Sequence, residues 1–202
     1  MNCFRALFSG GAFSKSITSS FLSLIPKSSN PLGLDDYRLI CLVGSIYKVI
    51  SKVLAGRIKR VLHSIVSPCQ SAFVSGRQLL DGVLVANELL DFSLKEGKSC
   101  LLFKVDFEKA YDKVSWNFLR FMLKRMGFGE LWIKWMEILI FSSKMSVLVN
   151  GSPSKEFMVE RGLRQGDPLS PFLFVLVAEG LKILVDKAVQ NGDFVGCDVK
   201  GG

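Results

Sequence analysis

Two hydrophobic periods alternate along this chain without settling into a repeat, and that constrains its architecture more than any single motif. Helical spacing runs from Ser45 to about Ile65, over Leu79–Leu94, over 114–125 and 130–141, and from Ser170 to about Gln190. Period-two spacing marks "FLSLIPK" (21–27), the run at 100–107, and both sides of "NGSPS" within 144–162, a hairpin pattern. Strands interleaved with helices but lacking a regular βαβ unit predict an α+β fold rather than a doubly wound sheet. On the first helix, Val49, Ile50, Val53, Leu54, Ile58 and Val61 share one face, and Lys48, Lys52 and Lys59 the other. Arg57 falls within the apolar face, where it either snorkels outward, pairs with a buried acid or contacts nucleic acid. Ser170 at N-cap and Pro171 at N1 are expected to start the last helix.

The 202 residues suffice for one domain with a real core or for two small ones. With 49% hydrophobic and 22% charged residues, the chain reads as folded. A net charge of +8 and a pI near 9.3 suit a polyanionic partner, as they do many ordinary basic proteins. Cys3, Cys41, Cys69, Cys100 and Cys197 lie far apart and, with the lone His63, make no zinc pattern. They are expected to be reduced, buried thiols of an intracellular protein, in nucleus or cytoplasm. No stretch is apolar for the length of a membrane span. "MNCFRALFSGGAFSKS" lacks the apolar centre of a secretion signal. Residues 1–20 read as an irregular lead-in, and "SSNPLGLDD" and "SPCQSAFVSGRQ" as loops.

"FKVDFEKAYDKVSW" (103–116) sets Asp106 in an alternating, core-like run. A carboxylate there is costly unless it caps the next segment, meets a lysine, or holds a cation. Mg²⁺ prefers carboxylate oxygens, and phosphoryl transfer uses two such ions to clamp the attacking and leaving oxygens. One aspartate cannot hold both. Asp112 reads as a helix cap or a structural ion-pair partner. Tyr111 either walls off the space beside a nucleotide sugar or belongs to the core. "RGLRQGDPLSP" (161–171), with Arg164, Gln165 and Gly166, is either a ligand-approach loop before a helix N-terminus or a rigid turn. Arg77 in "QSAFVSGR" suits phosphate oxygens or lies idle at the surface. Arg38 in "DDYRLI" has the same ambiguity, with Asp35 and Asp36 as local partners.

Taken in order, "SFLSLIPK", "DDYRLICLVGSIYKVISKVLAGRIK", "QSAFVSGRQLLDGVLVANEL", "LLFKVDFEKAYDKVSW" and "VNGSPSKEFMVERGLRQGDPLSPFLFVLVAEGL" resemble the reverse transcriptase of non-LTR, LINE-type retrotransposons, most like those of plants. The resemblance covers about residues 4–190. It implies a partial right-hand polymerase, with fingers over 21–100, an incomplete palm over 101–202 and no thumb. The implied activity is RNA-directed DNA synthesis from a nicked-DNA 3′-hydroxyl, with RNA template, DNA primer, dNTP and two Mg²⁺ ions. By position, Asp106 matches the first catalytic metal ligand, with the Phe107 carbonyl beside it. Tyr111 matches the sugar screen, Arg77 the fingers arginine near the triphosphate, and Gln165 and Gly166 the loop beneath the nascent base pair. Arg38, Arg57 and Arg164 fall in blocks associated with nucleic-acid handling.

The chain departs from that family in three places. Arg38-Leu39-Ile40 stands where Arg-Pro-Ile is usual, and Cys69 where an acidic or amide residue is common. No aromatic-Ala-Asp-Asp turn follows the last helix, and Asp193 and Asp198 do not replace it. The expectation is therefore a polymerase domain inactive as this isolated chain, with an unpaired edge in the palm sheet. The alternatives are a non-enzymatic nucleic-acid-binding remnant and a group II intron maturase-type protein. "NPLGLDDYR" and "VNGSPSKEF" favour the LINE type over the maturase.

Overall fold

The computed structural model describes residues 15–196. A short helix α1 (Lys15–Thr18) leads into strand β1 (Ser20–Pro26), a 3-10 turn (Leu34–Asp36) and strand β2 (Tyr37–Val43). Helices α2 (Ser45–Ile65), α3 (Leu79–Lys95), α4 (Trp116–Arg125) and α5 (Glu130–Met136) follow, the last running on into a π-helical turn over Glu137–Phe141. Strands β3 (Lys144–Val149), β4 (Ser152–Pro153) and β5 (Phe157–Met158) precede the closing helix α6 (Ser170–Gln190). The content is α+β, as the two periods require.

The sheet runs β2-β1-β3, with β4 and β5 successive on the far edge of β3. β1 pairs antiparallel with β2 (Ser20 opposite Val43, Pro26 opposite Tyr37) and parallel with β3 (Ser20 opposite Met145, Leu22 opposite Val147). Asn150 and Gly151, both at positive φ (49° and 81°), make the two-residue turn that their identity predicts.

The core forms where α2 meets α4, α5 and α6, around Ile50, Leu54, Ile58, Leu62, Leu119, Leu123, Met136 and Leu173. At Gly180 on α6 an added Cβ would lie 2.7 Å from the Phe118 ring, so α4 and α6 touch where only a hydrogen fits. The bounds of α2 agree with the helical spacing, and Ile50, Leu54 and Ile58 are buried as expected, but the rest of the stripe differs. Tyr47, Ser51 and Ala55 are buried in place of Val49, Val53 and Val61, which are exposed. The helix is rotated because its neighbours, one of them a buried carboxylate, lie on the Tyr47–Ser51 side.

Three further expectations are corrected. Residues 98–107 join no sheet among the described residues. Leu101 and Phe103 are 90% and 82% exposed. Alternation makes a run competent to be a strand, but a ladder needs a neighbour on at least one side. Ser170 is the first helical residue rather than the cap; Leu169 holds the N-cap position with no side-chain cap, and its amide donates to Asp167 Oδ1 (3.3 Å). Cys41 is buried as expected, whereas Cys69 and Cys100 are exposed; Cys3 and Cys197 lie outside the described residues. No helix among the described residues is long and apolar enough to cross a membrane.

Candidate active site

The loop 161–169 is the part of the site that the fold defines most tightly. Its Gly162 (φ +92°) lies against residue 112, where a Cβ would sit 2.9 Å from the Asp112 carbonyl oxygen. The Gly162 amide donates to the Val114 carbonyl (2.8 Å) and the Leu163 amide to that of Tyr111 (2.8 Å). Trp116 Nε1 donates to the Gly162 carbonyl (2.7 Å). The loop is thereby fixed along residues 111–116, and the Cys41 amide ties the Gln165 carbonyl to β2 (2.9 Å). Gln165 Nε2 reaches Asp112 Oδ1 at 3.4 Å. Burial pushes the Asp112 carboxyl up, while that hydrogen bond and the Lys109 charge pull the other way.

Asp106 is exposed and stands at the edge of a largely apolar cleft between residues 106–115 and α6. Phe174 of α6 organises this region. Its ring stacks on Tyr111 (centroids 5.2 Å apart, 21° between planes) and meets Phe107 edge-on (6.0 Å, 84°). Burial raises the Tyr111 hydroxyl. Lys109, at φ +52°, pairs with Asp35 (2.5 Å), and Lys113 with Glu108 (2.9 Å). Two candidate segments some fifty residues apart in sequence are thus side by side.

The predicted arginines fare differently. Arg164 is 4% exposed and no surface for nucleic acid remains to it. It donates to the carbonyls of Leu139 (2.9 Å) and Thr18 (2.8 Å) and to Ser143 Oγ (2.7 Å), with its Cζ 4.4 Å from the centre of the Tyr47 ring. The expected direct contact gives way to a structural one, because a buried guanidinium needs acceptors and finds carbonyls. Arg77 folds back on its own loop, donating to the Ser67 and Gln70 carbonyls (both 2.6 Å). Arg57 lies 5.7 Å from the Trp135 ring centre, exposed on α2. Arg38 is exposed on β2, while Asp35 pairs with Lys109 and Asp36 accepts from the Leu32 and Gly33 amides.

Sequence reasoning passed over Asp167. It is buried and accepts from Tyr47 Oη (3.2 Å), Ser51 Oγ, the Leu169 amide (3.3 Å) and Ser170 Oγ (3.2 Å). Its signals were the Asp-x-x-Ser spacing before α6 and two hydroxyls, Tyr47 and Ser51, four apart on α2.

A two-Mg²⁺ set needs several oxygen ligands around each ion. Among the described residues, no three His, Cys, Asp or Glu side chains lie close enough to hold a metal. Asp106 and the Phe107 carbonyl are a partial donor set, and the residues present do not fit the pair of ions.

Comparison with known proteins decides the relationship. Residues 25–197 match the family described as reverse transcriptase (RNA-dependent DNA polymerase). The chain belongs to the reverse transcriptase family. Its similarity to an uncharacterised 149 kDa protein of transposon TX1 from Xenopus laevis is 32% identity over 91% of this chain and 14% of that protein. Against the retrovirus-related Pol polyprotein of type-1 retrotransposable element R2 from Popillia japonica it is 27% identical, over 89% of this chain and 25% of that one. Against the Pol polyprotein of element R2DM from Drosophila melanogaster it is 28%, over 78% and 15%. This reverse transcriptase chain spans a quarter or less of each of these non-LTR retrotransposon relatives.

Proposed function

We propose that this chain is the fingers (21–100) and part of the palm (101–202) of an RNA-directed DNA polymerase of a LINE-type retrotransposon. It would act inside the cell on RNA template, DNA primer and dNTP. The observation that carries the reading is the docking of loop 161–169 on residues 111–116, with the Leu163 amide on the Tyr111 carbonyl and Gln165 Nε2 on Asp112. Such an arrangement suits a base pair seated on the loop, a sugar against Tyr111 and phosphates toward Asp106. Magnesium chemistry there needs carboxylates beyond Asp106. The 202 residues are therefore expected to show no primer extension by themselves. Extension of oligo(dT) on poly(rA) with Mg²⁺, comparing the chain with Asp106→Ala, tests this; robust synthesis that depends on Asp106 would overturn the expected inactivity.

A second reading, nucleic-acid binding without catalysis, is favoured by the exposed basic face of α2. Lys48, Lys52 and Lys59 share that face, and Arg57 and Arg60 are exposed elsewhere on the helix. Binding to homopolymer RNA should weaken linearly in log–log form with salt. No binding at low salt would rule it out.

A further inference from the structure

Gln165 and Gly166 are carried between two buried, oppositely charged residues. Along the loop, Leu163 and Arg164 are buried, Gln165 is half-buried, Gly166 is exposed and Asp167 is buried again. Arg164 and Asp167 share one support. The Tyr47 ring lies under the Arg164 guanidinium, and the Tyr47 hydroxyl donates to Asp167 Oδ2. Ser51, one turn further along α2, donates to Asp167 Oδ1. The other ends of the network are fixed too, by Arg164 on the Leu139 and Thr18 carbonyls and by Asp167 on the first turn of α6.

Burying a guanidinium and a carboxylate is expensive, and packed apolar residues commonly hold a turn at least as well. What such a network supplies is one geometry, since its hydrogen bonds form together in a single arrangement, with Arg164 Nε alone of the guanidinium nitrogens left without a partner. Here that geometry fixes Gln165, half-buried with its Nε2 on Asp112, and the exposed Gly166. Gly166, at φ +97°, adds a site where no side chain blocks close approach.

We propose that Tyr47, Arg164 and Asp167 are positioning residues that set the height and orientation of Gln165 and Gly166 toward the nascent base pair. The assignment rests on the reading of that loop given above. It turns Arg164 from a nucleic-acid contact into one of two posts that hold the contact in place. Ser51 and Ser170 complete the acceptor demand of Asp167.

The test uses the full 202-residue chain with Tyr47→Phe, which removes one hydroxyl and keeps the ring, and Asp167→Asn, which keeps the volume. Hydrogen exchange is read for amides 163–169 and for α6, and affinity for a poly(rA)/oligo(dT) duplex is read with dTTP present. Both variants should speed loop exchange about tenfold, the scale of one lost buried hydrogen bond. α6 should stay protected, and duplex affinity should fall several-fold. Equal acceleration across loop and α6 would reduce the network to ordinary core packing and overturn the proposal, as would an unchanged loop. Gln165→Ala separates the two layers. If it leaves duplex affinity unchanged, the base-pair reading fails, while the exchange data still decide whether the posts hold the loop.

Discussion

The loop 161–169 and the segment 79–107 are opposite cases within one chain. The loop has almost no regular secondary structure, yet its backbone and side chains are bonded to β2, α2, residues 111–116 and α6. The segment holds a 17-residue helix and an alternating run, both strongly patterned, yet Leu80, Leu84, Leu101 and Phe103 are all exposed. Only Ser93 of α3 is buried. Pattern makes an element competent; partners make it rigid. The candidate site residues divide along the same line, with Gln165 held fast and Asp106 on a segment that no ladder supports.

Two glycines break or sharpen that comparison. Gly162→Ala forces a Cβ to within 2.9 Å of the Asp112 carbonyl at a backbone angle of +92°. Steric clash and left-handed backbone together should cost about 3 kcal/mol, read as a lowered urea midpoint. Gly97, just after α3, also has positive φ (63°) but open space around it. Gly97→Ala should cost about 1 kcal/mol from the backbone alone. Equal losses would mean that the two regions are equally constrained.

Leucines give the next largest contrast. Leu54→Ala, from a residue 1% exposed in the core of α2, should cost about 3 kcal/mol. Leu84→Ala on α3, where the side chain is 60% exposed, should stay within about 0.5 kcal/mol. A large loss at Leu84 would show that α3 is packed against something in solution.

These contrasts also explain what was readable from sequence. The limits of α2 followed from local spacing, and so did the Asn150-Gly151 turn. The face that α2 buries did not, because Tyr47 and Ser51 are drawn inward by Asp167, 116 or more residues away. Arg164 looked like a surface cation for the same reason: local sequence cannot reveal the Leu139 and Thr18 carbonyls that surround it. The alternation at 100–107 was real, but it specifies a face and not a neighbour. Asp106, expected on a half-buried strand, is exposed in consequence. Phe174 had no sequence signal of its own beyond lying in an apolar helix, and its stacking on Tyr111 is a product of how α6 docks.

The smallest predicted effect separates two aspartates by the sign of their pH dependence. Asp35 is exposed and its carboxyl is held low by the hydrogen bond and charge of Lys109. Its contribution is present above the ordinary carboxylate value and is lost as pH falls through the lowered one. Asp112 is half-buried and burial holds its carboxyl high. The native state then keeps that proton longer than the unfolded chain, so stability declines as pH rises from the ordinary carboxylate value through the raised one. Asp112→Asn should remove this decline and raise stability near pH 7 by less than about 1 kcal/mol, since a half-exposed charge is screened. Asp35→Asn should lower the midpoint slightly at pH 7 and leave it unchanged at the acid end, so that the acid-side loss shrinks. Urea midpoints for both variants, taken from pH 7 down to about pH 3, read the two signs directly. If Asp112→Asn instead lowers stability at neutral pH, the hydrogen bond from Gln165 outweighs the burial of the charge, and Asp112 becomes part of what holds the loop.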